Sequence, residues 1–205
     1  MKEYPKIPNY HKYLDKDCIA FYKMDGSNLR VEYSSKTGWY KWGTRLRLFN
    51  ETDPDYGCAI PLFHKKYAQD LEKMLAKFYP KCQSAIFYME FFGPKSFAGQ
   101  HLADDEKDLV LFDINIYKKG FIDPETFLKV TESVHTPEVI YRGRLTEDFV
   151  TDVREKRFPI DEGVICKGMD NPKNPHSQWR CKIKTLDYLA KLKKVFGTGY
   201  NQYWE

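Results

Sequence analysis

Hydrophobic and polar positions divide the chain into short alternating runs with a few helical stretches between them. Residues 18–23 form an apolar run that reads as a buried strand. Residues 28–33 alternate polar and apolar, as a half-exposed strand does, and Lys36-Thr37-Gly38 turns them into residues 39–42 as a hairpin. Acid-rich residues 50–57, with Pro54, read as loop. The clearest helical stripe is Tyr67, Ala68, Leu71, Met74, Leu75 and Phe78, which predicts a helix over 64–79 ended by Pro80. Strands follow over 84–92 and 108–117, joined by a polar loop, 94–107, with an acidic tip at Asp104-Asp105-Glu106. Lys118-Lys119-Gly120 turns the second of them. Asp123 caps and Pro124 opens a helix running to about residue 134. A shorter helix covers 146–156. Residues 162–167 and 179–184 read as antiparallel strands around an Asn- and Pro-rich loop, 169–178. A last helix, 186–196, carries Leu186, Leu189 and Leu192 on one face and ends at a Gly-Thr-Gly break. The first residues, 2–13, read as extended. Hairpins with intervening helices predict an α+β protein with mainly antiparallel sheets flanked by helices.

Composition narrows this only a little. The 205 residues are 42% hydrophobic and 16% aromatic, enough for a sizeable core. A formal net charge of +4, from many charges of both signs, is compatible with a nucleic-acid partner without requiring one. No apolar run reaches transmembrane length and the N-terminus lacks a signal-peptide pattern, so no membrane association is expected. Five cysteines without a C-x-x-C pair suggest reduced thiols in a cytoplasmic compartment. Cys58, His64 and Cys82 have no spacing familiar from zinc sites and are read as structural.

Candidate chemistry begins at Lys23-Met24-Asp25-Gly26. By itself such a tetrapeptide also fits a solvated turn. Three later segments fit the same chemistry: Met89-Glu90-Phe91-Phe92-Gly93, Glu162-Gly163-Val164-Ile165-Cys166-Lys167 and Trp179-Arg180-Cys181-Lys182-Ile183-Lys184. A lysine attacks phosphorus only as the free amine, which its ordinary pKa of about 10.4 makes rare at neutral pH. Neighbouring cations and burial supply the needed shift. Lys182 and Lys184 alternate with Cys181 and Ile183, so a strand projects both to one face, about 7 Å apart. Paired ammoniums are useless to a core and suited to a triphosphate. Glu90 lies inside an apolar run, where a carboxylate needs a partner or a metal unless its strand is an edge facing water. Glu162 opens the next strand, although Asp161-Glu162-Gly163 also fits an acidic turn. Carboxylates at strand ends facing lysines can hold magnesium or a ribose.

Together these residues resemble the covalent nucleotidyltransferase superfamily of ATP-dependent DNA ligases, RNA ligases and mRNA capping enzymes. The matched motifs span 23–184 in order. The resemblance implies an ATP-grasp-like nucleotidyltransferase fold and a lysine, Lys23, that becomes linked to AMP or GMP. It also implies roles for Tyr22 and Gly26 beside the nucleotide, Asp25 in the catalytic motif, and Arg45 on a phosphate. Glu90 would contact ribose or metal, and Glu162 would bind metal and orient phosphates. Lys182 and Lys184 would neutralise charge on the α-phosphate and pyrophosphate. By pattern alone Phe112 reads as core, as most strand aromatics do, and its match to the family's purine-stacking aromatic puts stacking on the base level with that reading. Tyr10, His11 and Tyr13 could line a base pocket or form a tethered arm. Lys191, Lys193 and Lys194 could touch phosphate or form an outer helix face. Gly26-Ser27-Asn28 and the Glu-Phe-Phe-Gly form of the third motif resemble the nick-sealing RNA ligases.

The implied activity is ATP-dependent joining of 3′-OH and 5′-phosphate ends, RNA favoured, with ATP and Mg2+ or Mn2+ as cofactors. Only residues 185–205 follow Lys184, so a single adenylyltransferase domain over 1–205 is expected, without a separate OB-fold or helical domain. End recognition would then fall to this domain or to a helper in trans. The rival readings are a GTP-dependent capping guanylyltransferase, an ATP-dependent DNA ligase, an adenylyltransferase acting on another protein, and a nucleic-acid-binding module without catalysis.

Overall fold

Ten strands appear in chain order among residues 3–202, which the computed structural model describes. They are β1 Asp17–Lys23, β2 Ser27–Ser34, β3 Gly38–Thr44, β4 Leu48–Phe49, β5 Ser84–Phe92, β6 Asp108–Ile116, β7 Gly120–Phe121, β8 Val139–Arg144, β9 Gly163–Met169 and β10 Gln178–Lys184. The α-helices are α1 Ala59–Phe63, α2 Gln69–Phe78, α3 Pro124–Val130, α4 Glu147–Arg154 and α5 Leu186–Phe196. Every pair of these strands that meets does so antiparallel, as the α+β reading predicts. The chain forms two compact units. One holds Gly26–Thr136 together with Tyr4; the other holds Pro5–Asp25 and the chain from Pro137 onward. No helix among the described residues is long and apolar enough to cross a membrane.

The Gly26–Thr136 unit is built on a six-stranded sheet in the order β4-β3-β2-β5-β6-β7. Leu29 and Val31 on β2, and Phe87, Met89 and Phe91 on β5, put buried apolar side chains on one face, and Arg30, Glu32 and Tyr88 are buried at intervening positions. A helical segment supplies part of that cover through Ile60, Phe63, Tyr67, Leu71 and Leu75, all buried. Trp39 and Trp42 meet Phe63 edge-on at 4.8 and 5.1 Å. The segment starts at Ala59, five residues before the expected 64, because Ile60 and Phe63 continue the apolar stripe. Residues His64–Ala68 form one π turn between α1 and α2. Apolar positions 63, 67, 71 and 75 step by four, which outruns a 3.6-residue turn, and one widened turn returns the stripe to its face. α3 begins at Pro124 with the Asp123 side chain accepting from Thr126 N–H, as expected, but ends at Val130. There Thr131 donates its hydroxyl to Phe127 O at 2.7 Å.

The second unit carries a four-stranded sheet in the order β10-β9-β1-β8. One face is apolar: Cys18, Ala20, Val164, Cys166, Trp179, Cys181 and Ile183 form a cluster with Leu145, Phe149, Val150, Val153 and Ile160. Three of its members are the thiols of Cys18, Cys166 and Cys181, which are free. The α4 helix covers this face, capped by Thr146 accepting from Phe149 N–H. Tyr10 is buried in the cluster and Tyr13 stacks on Trp179 at 4.7 Å, so the N-terminal stretch is a tethered arm. Pro8 O accepts from Lys182 N–H at 3.0 Å, which fastens the arm along β10.

Candidate active site

Strand register sets out the second unit's other face as rows across the sheet. One row is Lys184 on β10, Gly163 on β9 and Lys23 on β1. The next runs from Lys182 through Ile165 to Phe21, and a third from Arg180 through Lys167 to Ile19. The alternation that buries Cys181 and Ile183 in the cluster therefore sends Lys182 and Lys184 to the face of Lys23.

The two outer lysines of the first row converge on one carboxylate. Lys23 Nζ lies 2.6 Å from Glu162 Oε2, and Lys184 Nζ lies 3.4 Å from Oε1. Glu162 is only 3% exposed. Its Oε2 receives the ammonium as an ion pair but no directed hydrogen bond from the described residues. Gly163 lets β9 and β10 close on this point. Its φ is +150°, and a Cβ there would stand 2.0 Å from Ile183 O. A side chain would push the strands apart, so the Glu-Gly pair is one structural unit.

Lys182 is half-buried beside these charges. Burial, then the like charges of Lys184 and Lys23, pull its pKa from 10.5 to about 8, against the opposing pull of Glu162. Burial also lowers the pKa of Lys184, with Glu162 opposing and Lys23 assisting. Such depressed lysines gathered on one face are typical of a site that expects an anion.

Asp25 is held from α5. Tyr188 donates its hydroxyl to Asp25 Oδ2 at 2.9 Å, and the Lys184 ammonium sits 5.0 Å over the Tyr188 ring. Thr185 anchors that turn. It caps α5 by accepting from Tyr188 N–H, donates its hydroxyl to Asp161 O at 2.7 Å, and donates its N–H to Glu162 O at 2.9 Å. The expected leucine face of this helix is shifted: Leu186 is exposed, while Tyr188, Leu189 and Leu192 are buried. Thr185 as cap followed by an aromatic three residues later was the available signal. Lys191, Lys193 and Lys194 lie on the exposed side of α5.

Tyr22 lies on the opposite side of β1 from Lys23. It packs against the apolar cluster with Cys18 and Ala20, and its hydroxyl donates to Asp161 Oδ2 at 3.3 Å. The period of two that brings Lys23 to the cationic face removes its neighbour from it.

The remaining predicted residues, Gly26, Arg45, Glu90 and Phe112, belong to the six-stranded unit, which the chain enters between Asp25 and Gly26. A Cβ on Gly26 would stand 2.3 Å from Phe91 O, so this position needs glycine for close approach. Arg45 is exposed at the β3–β4 turn, which is held by Leu46 and Arg47 N–H groups donating to Thr44 Oγ1. Glu90 is on β5, an interior strand, with Asn28 and Val110 as its register partners. The edge-strand alternative for this acid does not apply. Asn28 Oδ1 is buried with no donor among the described residues, an acceptor available to a ligand. Phe112 is the extra residue of a β-bulge, because Tyr88 pairs with Asp113 and Met89 with Leu111. Bulges re-aim side chains. The ring is half-buried and meets Tyr4 edge-on at 5.0 Å.

The donors present fit a divalent cation in one manner only. No group of three or more His, Cys, Asp or Glu side chains able to hold a metal occurs among the described residues. Glu162 lies in one unit and Glu90 in the other. Magnesium commonly takes one or two carboxylates and completes its shell with phosphate oxygens and water. A cation at either carboxylate would therefore depend on a nucleotide's phosphates.

An RNA ligase family model matches residues 16–185. The chain belongs to the RNA ligase family. Solved structures with a similar fold include an Aquifex aeolicus protein provisionally titled an ATP-dependent DNA ligase (TM-score 0.64, 17% identity, covering 98% of this chain and 57% of that one). The Naegleria gruberi RNA ligase with PPi is similar at TM-score 0.66 and 15% identity, covering 95% of this chain and 58% of that one. A lysine-to-alanine variant of the Naegleria ligase with ATP and Mn gives TM-score 0.65 and 13% identity, covering 93% and 57%. This chain thus spans somewhat over half the length of those proteins. At such identities the likeness establishes the nucleotidyltransferase fold. No curated protein matches the chain significantly in sequence.

Proposed function

We propose that residues 1–205 act as the adenylyltransferase domain of an ATP-dependent polynucleotide ligase, with RNA the favoured substrate, working through a lysyl-AMP intermediate. The observation that carries this reading is the convergence of Lys23 and Lys184 on the buried Glu162 carboxylate, with Lys182 depressed beside them.

In the resting arrangement Glu162 keeps the Lys23 ammonium in place. An ammonium held this close to a carboxylate is stabilised in its charged form. Attack requires that proton to leave. Once the Glu162 charge is offset, Lys182 and Lys184 make a third ammonium on this face unfavourable, and the proton passes to solvent. The Lys23 Nζ–phosphorus bond then forms as the bond from the α-phosphorus to pyrophosphate breaks. Lys182 and Lys184 neutralise charge growing on the α-phosphate and on the leaving group. Asp25, oriented by Tyr188, fixes the loop that follows the nucleophile. AMP next passes to a 5′-phosphate, and a 3′-hydroxyl displaces it to close the strand. Arg45 is proposed to contact phosphate, Glu90 the ribose or metal, and Phe112 the purine. Mg2+ or Mn2+, with Glu162 and Glu90 as candidate ligands, supplies neutralisation of phosphate charge when bound. The Naegleria RNA ligase structures titled with ATP and Mn, and with AMP and Mn, support this choice of nucleotide and cation.

The DNA ligase reading is kept as a rival by the Aquifex aeolicus similarity. Intact-mass and peptide mass spectrometry after incubation with ATP or GTP and a divalent cation tests the proposal. Addition of one AMP at Lys23 supports it, and labelling by GTP alone would point to a capping enzyme. Sealing of nicked duplexes with RNA or DNA on either side of the break then separates the two ligase readings.

A further inference from the structure

The polar connection between β5 and β6 is more ordered than its composition implies. Phe97 and Gln100 exchange backbone hydrogen bonds at 3.2 and 2.9 Å. Between them Ala98 and Gly99 both have positive φ, 51° and 77°, as a type I′ turn requires. The turn delivers His101 with a serine at each ring nitrogen. Nε2 is 2.8 Å from Ser27 Oγ, and Nδ1 is 3.0 Å from Ser96 Oγ. Ser96 Oγ accepts from Gly93 N–H at 2.8 Å, and the Ser27 hydroxyl reaches Gly99 O at 3.3 Å. One proton arrangement satisfies all of these contacts: Gly93 N–H to Ser96, Ser96 O–H to Nδ1, Nε2–H to Ser27, and Ser27 O–H to Gly99 O. The relay joins Gly93, which closes the third motif, to Ser27, the residue after Gly26 of the first.

We propose that His101, which lies in none of the motifs, is a positioning residue for nucleotidyl transfer: as the neutral Nε2–H tautomer it fixes the chain that leaves Asp25-Gly26. The inference rests on the ligase reading above for its functional consequence. A second proton on the ring would put N–H on both nitrogens. Ser96 would then have to accept from Nδ1 and from Gly93 at once, and its own proton would lose its acceptor. Burial and the Lys107 charge also disfavour the imidazolium, while Asp105 and Asp55 pull the other way. The rings of Phe91 and Tyr56 complete the surroundings at 5.1 and 6.2 Å. The clamp therefore holds at neutral pH and fails on the acid side.

Two arms test it. In long-range nitrogen–proton NMR spectra, with the signal assigned by its loss in His101→Gln, His101 should show the Nε2–H tautomer and titrate below an ordinary histidine. Ser96→Ala should raise that titration. In single-turnover AMP uptake, His101→Ala should slow the maximal rate about fivefold, the worth of roughly one hydrogen bond, with KM for ATP unchanged. His101→Gln, whose amide N–H can replace Nε2–H toward Ser27, should recover most of the rate and lose the acid limb of the pH profile. A histidine titrating ordinarily in wild type and Ser96→Ala alike overturns the clamp. A wild-type rate and pH profile in folded His101→Ala overturns its role in transfer. If wild-type protein takes up no AMP, the ligase reading fails while the NMR arm still judges the clamp.

Discussion

Lys182→Met is expected to stabilise the protein near neutral pH, and the gain should fade as pH rises. Lys182 is half-buried, and burial with the charges of Lys184 and Lys23 lowers its pKa from 10.5 to about 8. The unfolded chain therefore holds this proton more tightly than the native one. Below about 8 both states are protonated and the native state bears the whole penalty. Between about 8 and 10.5 the unfolded state binds more protons, so native stability rises with pH through that window. A tenfold difference in proton affinity is worth about 1.4 kcal/mol, so a shift from 10.5 to about 8 puts the penalty at no more than about 3.5 kcal/mol. Water at the partly exposed ammonium screens this, leaving about 1–2 kcal/mol. Methionine keeps the length of the stem and removes the charge. Urea unfolding followed by circular dichroism should find the variant more stable by that amount at about pH 6.5, and by less than half as much at about pH 9.5. A variant that is less stable than wild type at the lower pH, or whose advantage is the same at both, would show that Lys182 is not held against its charge. The same variant should take up AMP more slowly, since it lacks a cation for the α-phosphate.

Lys23→Arg keeps a cation beside Glu162 but cannot present a free amine, so intact-mass measurement with ATP and a divalent cation should find no AMP; any adduct at residue 23 refutes the nucleophile. Tyr188→Phe removes the hydrogen bond to Asp25 and leaves the ring under Lys184. It should cost about 1 kcal/mol in urea unfolding and slow AMP uptake several-fold, and an unchanged rate would separate Asp25 orientation from catalysis. Gly163→Ala places a Cβ against Ile183 O at a backbone angle unfavourable to alanine. A loss of about 3 kcal/mol or more is expected, and a melting temperature equal to wild type would mean the β9–β10 approach is not tight.

Local pattern made much of this protein legible. Ser84–Phe92 and the β9 and β10 strands alternate or cluster their apolar residues within a few positions, which is all a strand needs to declare itself. That Lys182 and Lys184 share a face follows from a spacing of two. The cap of α3, Asp123, is read from one side chain and the turn after it. What escaped lies where neighbours in space decide. β8 is an edge strand with Gly143 in it and mostly half-exposed residues, so pairing with β1, not hydrophobic pattern, makes it a strand. The early start of the 59–78 helical segment depends on Phe63 packing against Trp39 and Trp42. Tyr22 stood beside the nucleophile in sequence, yet its position on β1 puts it in the apolar cluster.

The candidate site divides in the same way. Residue types and motif order by themselves marked Lys23, Glu162, Lys182 and Lys184, because an attacking amine, a carboxylate and paired cations are chemical requirements that composition along a strand can reveal. Tertiary structure alone decided that Lys23 and Lys184 share the Glu162 carboxylate, that Tyr188 holds Asp25, and that His101 holds Ser27. These contacts join residues from 74 to 163 positions apart along the chain in the last two cases. A hydroxyl or imidazole carries no mark of its partner until strand register and helix capping bring the two within about 3 Å.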